Sequence, residues 1–327
     1  MTGEAELIAR IQRRMSARGS RFLRLGMEDD AAILRPARGT ELLVTCDAFL
    51  EGVHFLRNKH KAEVVGFKAV ARATSDIAAM GGVPQVFLLG LALPESQTTR
   101  WLDGFLAGMR RAARRFGMVL AGGDTTRHRQ ILIQVTVIGE ISIGKAVLRS
   151  GARPGDLICV SGRLGEAQLG LELVRRGLDR HRPFRPLLRK HFYPEPRLEL
   201  GKWLAERRMA SAMIDTSDGL STDLGHICEA SGVGARVYMD RIPIVTVPEA
   251  LRRRGLDPWE FALKGGEDYE LLFTVPRRQS RRLPAKFRGV PVTVIGEITR
   301  GKKMLLTRSG GRTVPLRPRG WDPFRST

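Results

Sequence analysis

Ala121-Gly122-Gly123-Asp124-Thr125-Thr126-Arg127 lies between a short apolar run, Met118-Val119-Leu120, and a longer one, Ile131 to Ile138. The two runs read as buried strands, and the stretch between them reads as the turn at the end of the first. Paired glycines let a backbone bend tightly and approach a ligand, because they carry no Cβ. The residues that follow present a carboxylate, two hydroxyls and a guanidinium. A carboxylate suits Mg²⁺, a hard ion that prefers oxygen ligands, and an arginine suits phosphate. Gly-Gly-Asp is also common in ordinary turns, so the weight of this stretch comes from segments elsewhere that repeat its chemistry.

Toward the N-terminus, Leu7, Ile8, Ile11 and Met15 have helical spacing and predict a helix over 4–18. Leu25 to Leu34 then carries Glu28-Asp29-Asp30 in an acidic turn that runs into a strand. A strand at Leu42-Leu43-Val44 opens into Thr45-Cys46-Asp47 and the segment Glu51-Gly52-Val53-His54-Phe55. Like charges held close together cost energy unless a cation neutralises them. The alternative for the first turn is a solvated Asp-Asp pair. For His54 it is a structural histidine in place of a substrate contact. A helix over 62–80 carries Asp76 close to its C-terminus, against the preference set by the helix dipole. A bound cation would offset that cost. The strand Val86 to Leu93 ends at Pro94 and is followed by a helix over 99–116.

Beyond the central stretch, Gly139 to Ala146 nearly spells a phosphate-binding P-loop, but Ala146 stands where Ser or Thr should be and no helix pattern follows. It reads as a connection. Arg149-Ser150-Gly151-Ala152-Arg153-Pro154-Gly155 marks a domain boundary, giving domains of 1–148 and 149–327. Strand Leu157 to Val160, a helix over 166–175, a Pro- and Arg-rich surface loop over 179–196 and a helix over 198–207 follow. Ala212-Met213-Ile214 runs into Asp215-Thr216-Ser217-Asp218-Gly219 and a helix from Leu220. The free N–H groups at that helix start suit an anion. Simple capping explains one of these residues but not both acids and the glycine together. A strand over 233–239, a short helix over 258–263 and the turn Gly265-Gly266-Glu267-Asp268-Tyr269-Glu270 come next, with the strand ending at Val275. Val292 to Ile295 and Met304 to Leu306 read as edge strands, and Trp321 sits in a Pro- and Gly-rich tail.

Length and composition set bounds on these readings. The 327 residues suffice for two domains with separate cores, and 43% hydrophobic content with scattered charge argues for a folded globular protein. No run of about eighteen apolar residues predicts a membrane span. The start of the chain lacks a signal-peptide pattern, which points to the cytoplasm. Three well-separated cysteines read as reduced thiols. The 55 Lys and Arg against 34 Asp and Glu give a net charge of +21. The charge reads chiefly as a solvated basic surface, which also attracts phosphates. With no nucleic-acid motif and only 6% aromatic residues, a nucleic-acid partner is not expected. If the acidic segments converge, they need several cations, and several Mg²⁺ beside an arginine and glycine-rich turns suit a nucleoside triphosphate.

The segments Glu28-Asp29-Asp30-Ala31-Ala32, Thr45-Cys46-Asp47, Glu51 to Phe55, Ser75 to Gly81, Gly122 to Arg127, Arg149-Ser150-Gly151, Asp215 to Leu220 and Gly265 to Leu271 occur in an order that closely resembles the thiamine-monophosphate kinase family. The likeness spans about residues 20–325. It implies the two-domain α/β (α+β) fold of the aminoimidazole-ribonucleotide-synthetase-like superfamily, whose N-terminal domain forms a dimer sheet or barrel, and hence a homodimer. It also implies direct, Mg²⁺-dependent transfer of the ATP γ-phosphoryl to thiamine monophosphate, giving thiamine diphosphate. On this resemblance Asp30, Thr45, Cys46, Asp47, Asp76, Asp124, Asp215 and Asp218 are Mg²⁺ ligands, some through backbone oxygens. Asp30, Asp47, Asp76 and Asp124 are central to catalysis. Gly122, Gly123, Arg149 and Ser217 contact ATP; His54, Glu267 and Trp321 contact thiamine phosphate. The chain departs from the family at Glu28, where glycine is usual, and at Cys46, where threonine or serine is usual. The rival readings are another ATP-dependent synthetase of the superfamily and, from a different class, a basic nucleic-acid-binding protein.

Overall fold

The structure is a computed structural model that describes residues 3–16 and 20–324. It divides into two compact units, residues 1–77 with 82–144, and residues 78–81 with 145–327. The helix predicted over 4–18 is observed as α1 (Glu4–Met15), and residues 17–18 lie outside the described residues.

After α1 the first unit contains β1 (Leu23–Leu25), β2 (Ile33–Leu34), β3 (Thr40–Leu50), α2 (Ala62–Ala79), β4 (Val83–Leu93), α3 (Arg100–Phe116), β5 (Val119–Arg127) and β6 (Leu132–Ser142). Its main sheet has the open order β3-β6-β4-β5. Long apolar strands pair antiparallel across β6, while β4 and β5 run parallel because α3 carries the chain back between them. Helix α3 buries Leu102, Phe105, Leu106, Met109 and Phe116 at helical spacing. It meets α2 backbone to backbone. A Cβ at Gly66 would lie 2.0 Å from the Phe105 carbonyl oxygen, and one at Gly108 would lie 1.9 Å from that of Glu63.

Two expectations are corrected here. Thr45-Cys46-Asp47 was expected in a turn after a short strand, yet it lies inside the eleven-residue β3. Ala121 to Arg127 is likewise β-strand and forms most of β5. In both cases pairing with a neighbouring strand, unbroken for β3 and interrupted by a bulge at Ala121 for β5, outweighs the local turn signal of Gly and Asp.

The second unit contains β7 (Leu157–Ser161), α4 (Glu166–Arg175), α5 (Arg189–Phe192), α6 (Leu198–Glu206), β8 (Ala212–Asp215), α7 (Leu220–Ser231), β9 (Gly234–Tyr238), α8 (Glu249–Arg252), α9 (Pro258–Lys264), β10 (Leu271–Val275), β11 (Lys286–Phe287), β12 (Val290–Thr299), β13 (Met304–Thr307) and β14 (Thr313–Pro315). The sheet order is β14-β13-β9-β12-β7-β10-β8, with β11 paired to β12. Strands β12 and β13 are therefore both interior, not edges as expected, and Ile295 of β12 is fully buried in the core with Val160, Ile214, Leu224 and Leu272. Residues 179–196 are also more than a surface loop. A 3₁₀ turn over Arg182–Leu188 leads into α5, and Leu188 and His191 are buried.

Candidate functional site

Alternation along β3 places Thr45, Asp47 and Phe49 on one face. That face meets α2. The Thr45 hydroxyl donates to Oδ2 of Asp76, and Nε of Arg72 donates to Oδ2 of Asp47 at 3.2 Å. The same guanidinium lies 5.4 Å from the centre of the buried Phe49 ring. Cys46 points the other way, where its Sγ meets Gln134 Nε2 at 3.0 Å and Thr136 Oγ1 at 3.3 Å on β6. A ligand role for Cys46 on the Asp47 face is thus open only to its main chain.

The turn after β3 is closed by the Gly52 N–H donating to the Phe55 carbonyl at 2.8 Å. The Leu50 N–H donates to Nδ1 of His54 at 3.0 Å, so the ring's proton sits on Nε2. The His54 ring lies 5.5 Å from that of Phe49.

Asp30 and Asp124 come to one cavity of about 630 Å³, together with Gly122, Gly123 and Thr125, above an apolar floor that includes Leu88 and Leu120. Gly123 cannot be replaced without moving β4, since a Cβ there would lie 2.0 Å from the Leu89 carbonyl oxygen. The Thr125 hydroxyl is buried and has no hydrogen-bond partner among the described residues.

In the second unit two loops are laced together. The Thr216 N–H donates to the Glu270 carbonyl, the Tyr269 N–H to the Thr216 carbonyl, and the Glu267 N–H to the Ser217 carbonyl, at 2.8, 3.0 and 2.9 Å. Glu267 and Tyr269 take left-handed backbone angles, φ 66° and 49°, which this lacing sustains. Asp215 is buried at the end of β8. The Asp218 carbonyl accepts the Trp321 N–H at 3.1 Å, and both residues line a cavity of about 1010 Å³ with Thr222, His226 and Lys303. The Arg149 carbonyl accepts the Ser231 hydroxyl at 3.2 Å.

Several residues here escaped the sequence reading. Asp223, one turn into α7, is buried, and burial followed by the charges of Asp215 and Asp218 pushes its carboxyl well above the usual range. Glu270 is fully buried; burial alone would raise its carboxyl, but Lys190 and Arg197 outweigh that and hold it at about 2. Burial pushes Asp268 up to about 7, although it accepts the N–H groups of Gly165 and Ala167 at the start of α4. His191 Nδ1 lies 3.8 Å from Glu267 Oε2. Arg72 was legible as the residue four before Asp76 on one helix. Lys190 and His191 gave no signal within a Pro- and Arg-rich stretch.

Among the described residues, no three His, Cys, Asp or Glu side chains gather into a metal cage. The first unit's donors are carboxylate and hydroxyl oxygens, the set a hard divalent ion prefers. Mg²⁺ commonly takes one or two carboxylates and completes its shell with water and substrate phosphates.

AIR synthase related protein, N-terminal domain, matches residues 28–141, and the corresponding C-terminal domain matches 153–307. Thiamine-monophosphate kinase of Salmonella typhimurium strain LT2 is 38% identical over 98% of this chain and 98% of its own length. The chain belongs to the thiamine-monophosphate kinase family. The family member from Bacillus subtilis strain 168 is 34% identical over 92% of this chain and 94% of its own. The crystal structure of thiamine-monophosphate kinase from Stenotrophomonas maltophilia K279a superposes with a TM-score of 0.80 at 38% identity, covering 92% of this chain and 95% of that one. AaThiL complexed with AMPPCP and TMP superposes with a TM-score of 0.77 at 33% identity, covering 98% and 97%.

Proposed function

We propose that this chain phosphorylates thiamine monophosphate, transferring the γ-phosphoryl of ATP in line to give thiamine diphosphate and ADP. The observation that carries this is likeness to thiamine-monophosphate kinases over 98% of the chain, with AaThiL solved beside both AMPPCP and TMP. The segments that bear Asp30, Asp47, Asp76, Asp124, Asp215 and Asp218 all fall within the matched span.

Bound Mg²⁺ would neutralise the charge that builds up as two anionic phosphates approach. Asp30 and Asp124, on one cavity, are suited to hold it, as are Asp47 and Asp76 on the β3–α2 face. Asp215 and Asp218 are assigned the same role in the second unit, Thr45 and Cys46 chiefly through main-chain oxygens. Gly122 and Gly123, on the cavity that holds Asp30 and Asp124, are assigned to the nucleotide, with Arg149 and Ser217 as its other contacts. His54, Glu267 and Trp321 are assigned to thiamine monophosphate. His54 binds and does not abstract a proton, because the attacking phosphate oxygen is already largely ionised. The chain's work is positioning and charge placement.

The working form is proposed to be a homodimer joined through β3. This edge strand exposes Leu42 and Val44, the latter at 65%. Among the described residues no helix is long and apolar enough to cross a membrane.

The test is thiamine diphosphate formation from ATP, Mg²⁺ and thiamine monophosphate, with thiamine as control acceptor. Product from the monophosphate alone is expected; its absence in folded, ATP-binding protein overturns the assignment.

A further inference from the structure

Helix α2 carries Lys68, Arg72 and Asp76 at spacings of four, so the three share one helical stripe. Lys68 is only 1% exposed, and the Arg72 side chain only 15%. The stripe runs along the β3 face that bears Thr45, Asp47 and Phe49, as shown by the Thr45–Asp76 and Arg72–Asp47 hydrogen bonds. Arg72 is held from two sides. Its Nε engages Oδ2 of Asp47, and its guanidinium lies over a ring that is itself stacked on Phe55 at 5.2 Å. A cation so placed cannot swing away without giving up both the ion pair and the ring contact. It also binds one oxygen of a carboxylate assigned to metal.

We propose that Arg72 is a built-in counter-cation of the metal site: it neutralises Asp47 when no divalent ion is bound and lowers the site's affinity for that ion. This rests on the kinase reading and its Mg²⁺ requirement. The physical reason is charge. Asp47 and Asp76 both belong to the face where β3 meets α2, and a fixed positive group paired with Asp47 offsets negative charge there in the metal-free protein. The same positive group repels an incoming divalent cation, over a distance short enough to escape screening by salt. Arg72 is thus a positioning residue that sets metal affinity.

The experiment is a Mg²⁺ titration of the full chain without nucleotide, read by calorimetry and by thermal melting. It compares the wild type with Arg72→Met and Arg72→Lys. Arg72→Met is expected to melt lower without metal, yet to bind Mg²⁺ about three- to tenfold more tightly and gain more melting temperature from it. Arg72→Lys keeps the charge and is expected to stay within about twofold of the wild type. Unchanged or weaker Mg²⁺ binding in a folded Arg72→Met protein overturns the proposal, as does tightening of the same size in Arg72→Lys. A purely structural role for Arg72 lowers the melting temperature without tightening metal binding. The thiamine diphosphate assay on the wild type decides the kinase reading separately. An active wild type with unchanged Mg²⁺ binding in Arg72→Met removes the Arg72 role alone.

Discussion

The Gly219 N–H donates to Oδ2 of Asp223 at 3.0 Å, while Oδ1 of the same carboxylate is buried and has no hydrogen-bond partner among the described residues. One oxygen thus orders the start of α7, while burial and the charges of Asp215 and Asp218 push the carboxyl well above its usual range. An acid whose folded pKa lies above its unfolded one costs stability increasingly as pH rises through the folded value. Asp223→Asn keeps an oxygen for Gly219 and removes the buried charge. It should stabilise the metal-free protein by about 1–3 kcal/mol at pH 8, with a smaller gain at pH 5. Urea unfolding at the two pH values checks this, and an equal or negative effect at pH 8 would sink it.

Gly219 has φ 107°, and a Cβ there would sit 2.8 Å from the Lys264 carbonyl carbon. Gly219→Ala should therefore cost about 1–3 kcal/mol and displace the Asp215–Gly219 loop from the Gly265–Glu270 loop. Denaturant midpoints report the first effect. A raised KM for thiamine monophosphate reports the second.

Two buried acids in the second unit titrate in opposite senses. Glu270 is held at about 2, below its unfolded value, so its contribution is present above about pH 4.5 and lost as pH falls toward 2. Asp268 is raised to about 7, so its contribution is full below about pH 4 and lost as pH rises through 7. Glu270→Gln should cost about 3–5 kcal/mol at neutral pH, because Lys190 and Arg197 lose their anion. Asp268→Asn should flatten the fall in stability between about pH 4 and pH 7. Melting temperatures from pH 3 to 9 distinguish the two.

Asp124 is exposed at the cavity that Asp30 shares, and its side chain supports no core. Asp124→Asn should lower kcat by at least about a hundredfold while leaving the melting temperature of the metal-free protein within about 2 °C. Near-normal turnover would remove Asp124 from the metal site.

Val44 is the most exposed apolar side chain on β3. Val44→Arg should convert a dimer to a monomer, as read by light scattering, with each monomer still folded by circular dichroism. A wild-type protein that is monomeric at micromolar concentration would dispose of the β3 interface.

The sequence alone carried the order and identity of the acidic segments, and with them the family. It also carried the long helices, because a stripe of Leu102, Phe105, Leu106 and Met109 is visible within one local window. What lay beyond it was every relationship set by pairing across long separations. Gly-Gly-Asp-Thr reads as a turn in isolation and becomes strand only because β4 lies alongside it. Asp47 and Cys46 are neighbours in sequence, yet they face opposite sides of β3, and only the packing of α2 decides which side holds Asp76 and Arg72. Lys190 and Arg197 meet Glu270 from more than seventy residues away, out of a stretch that looked like solvated surface. Periodicity and composition report what a residue prefers locally; the partner that neutralises a buried charge is chosen by the tertiary fold, because that is where the cost of leaving it unpaired is felt.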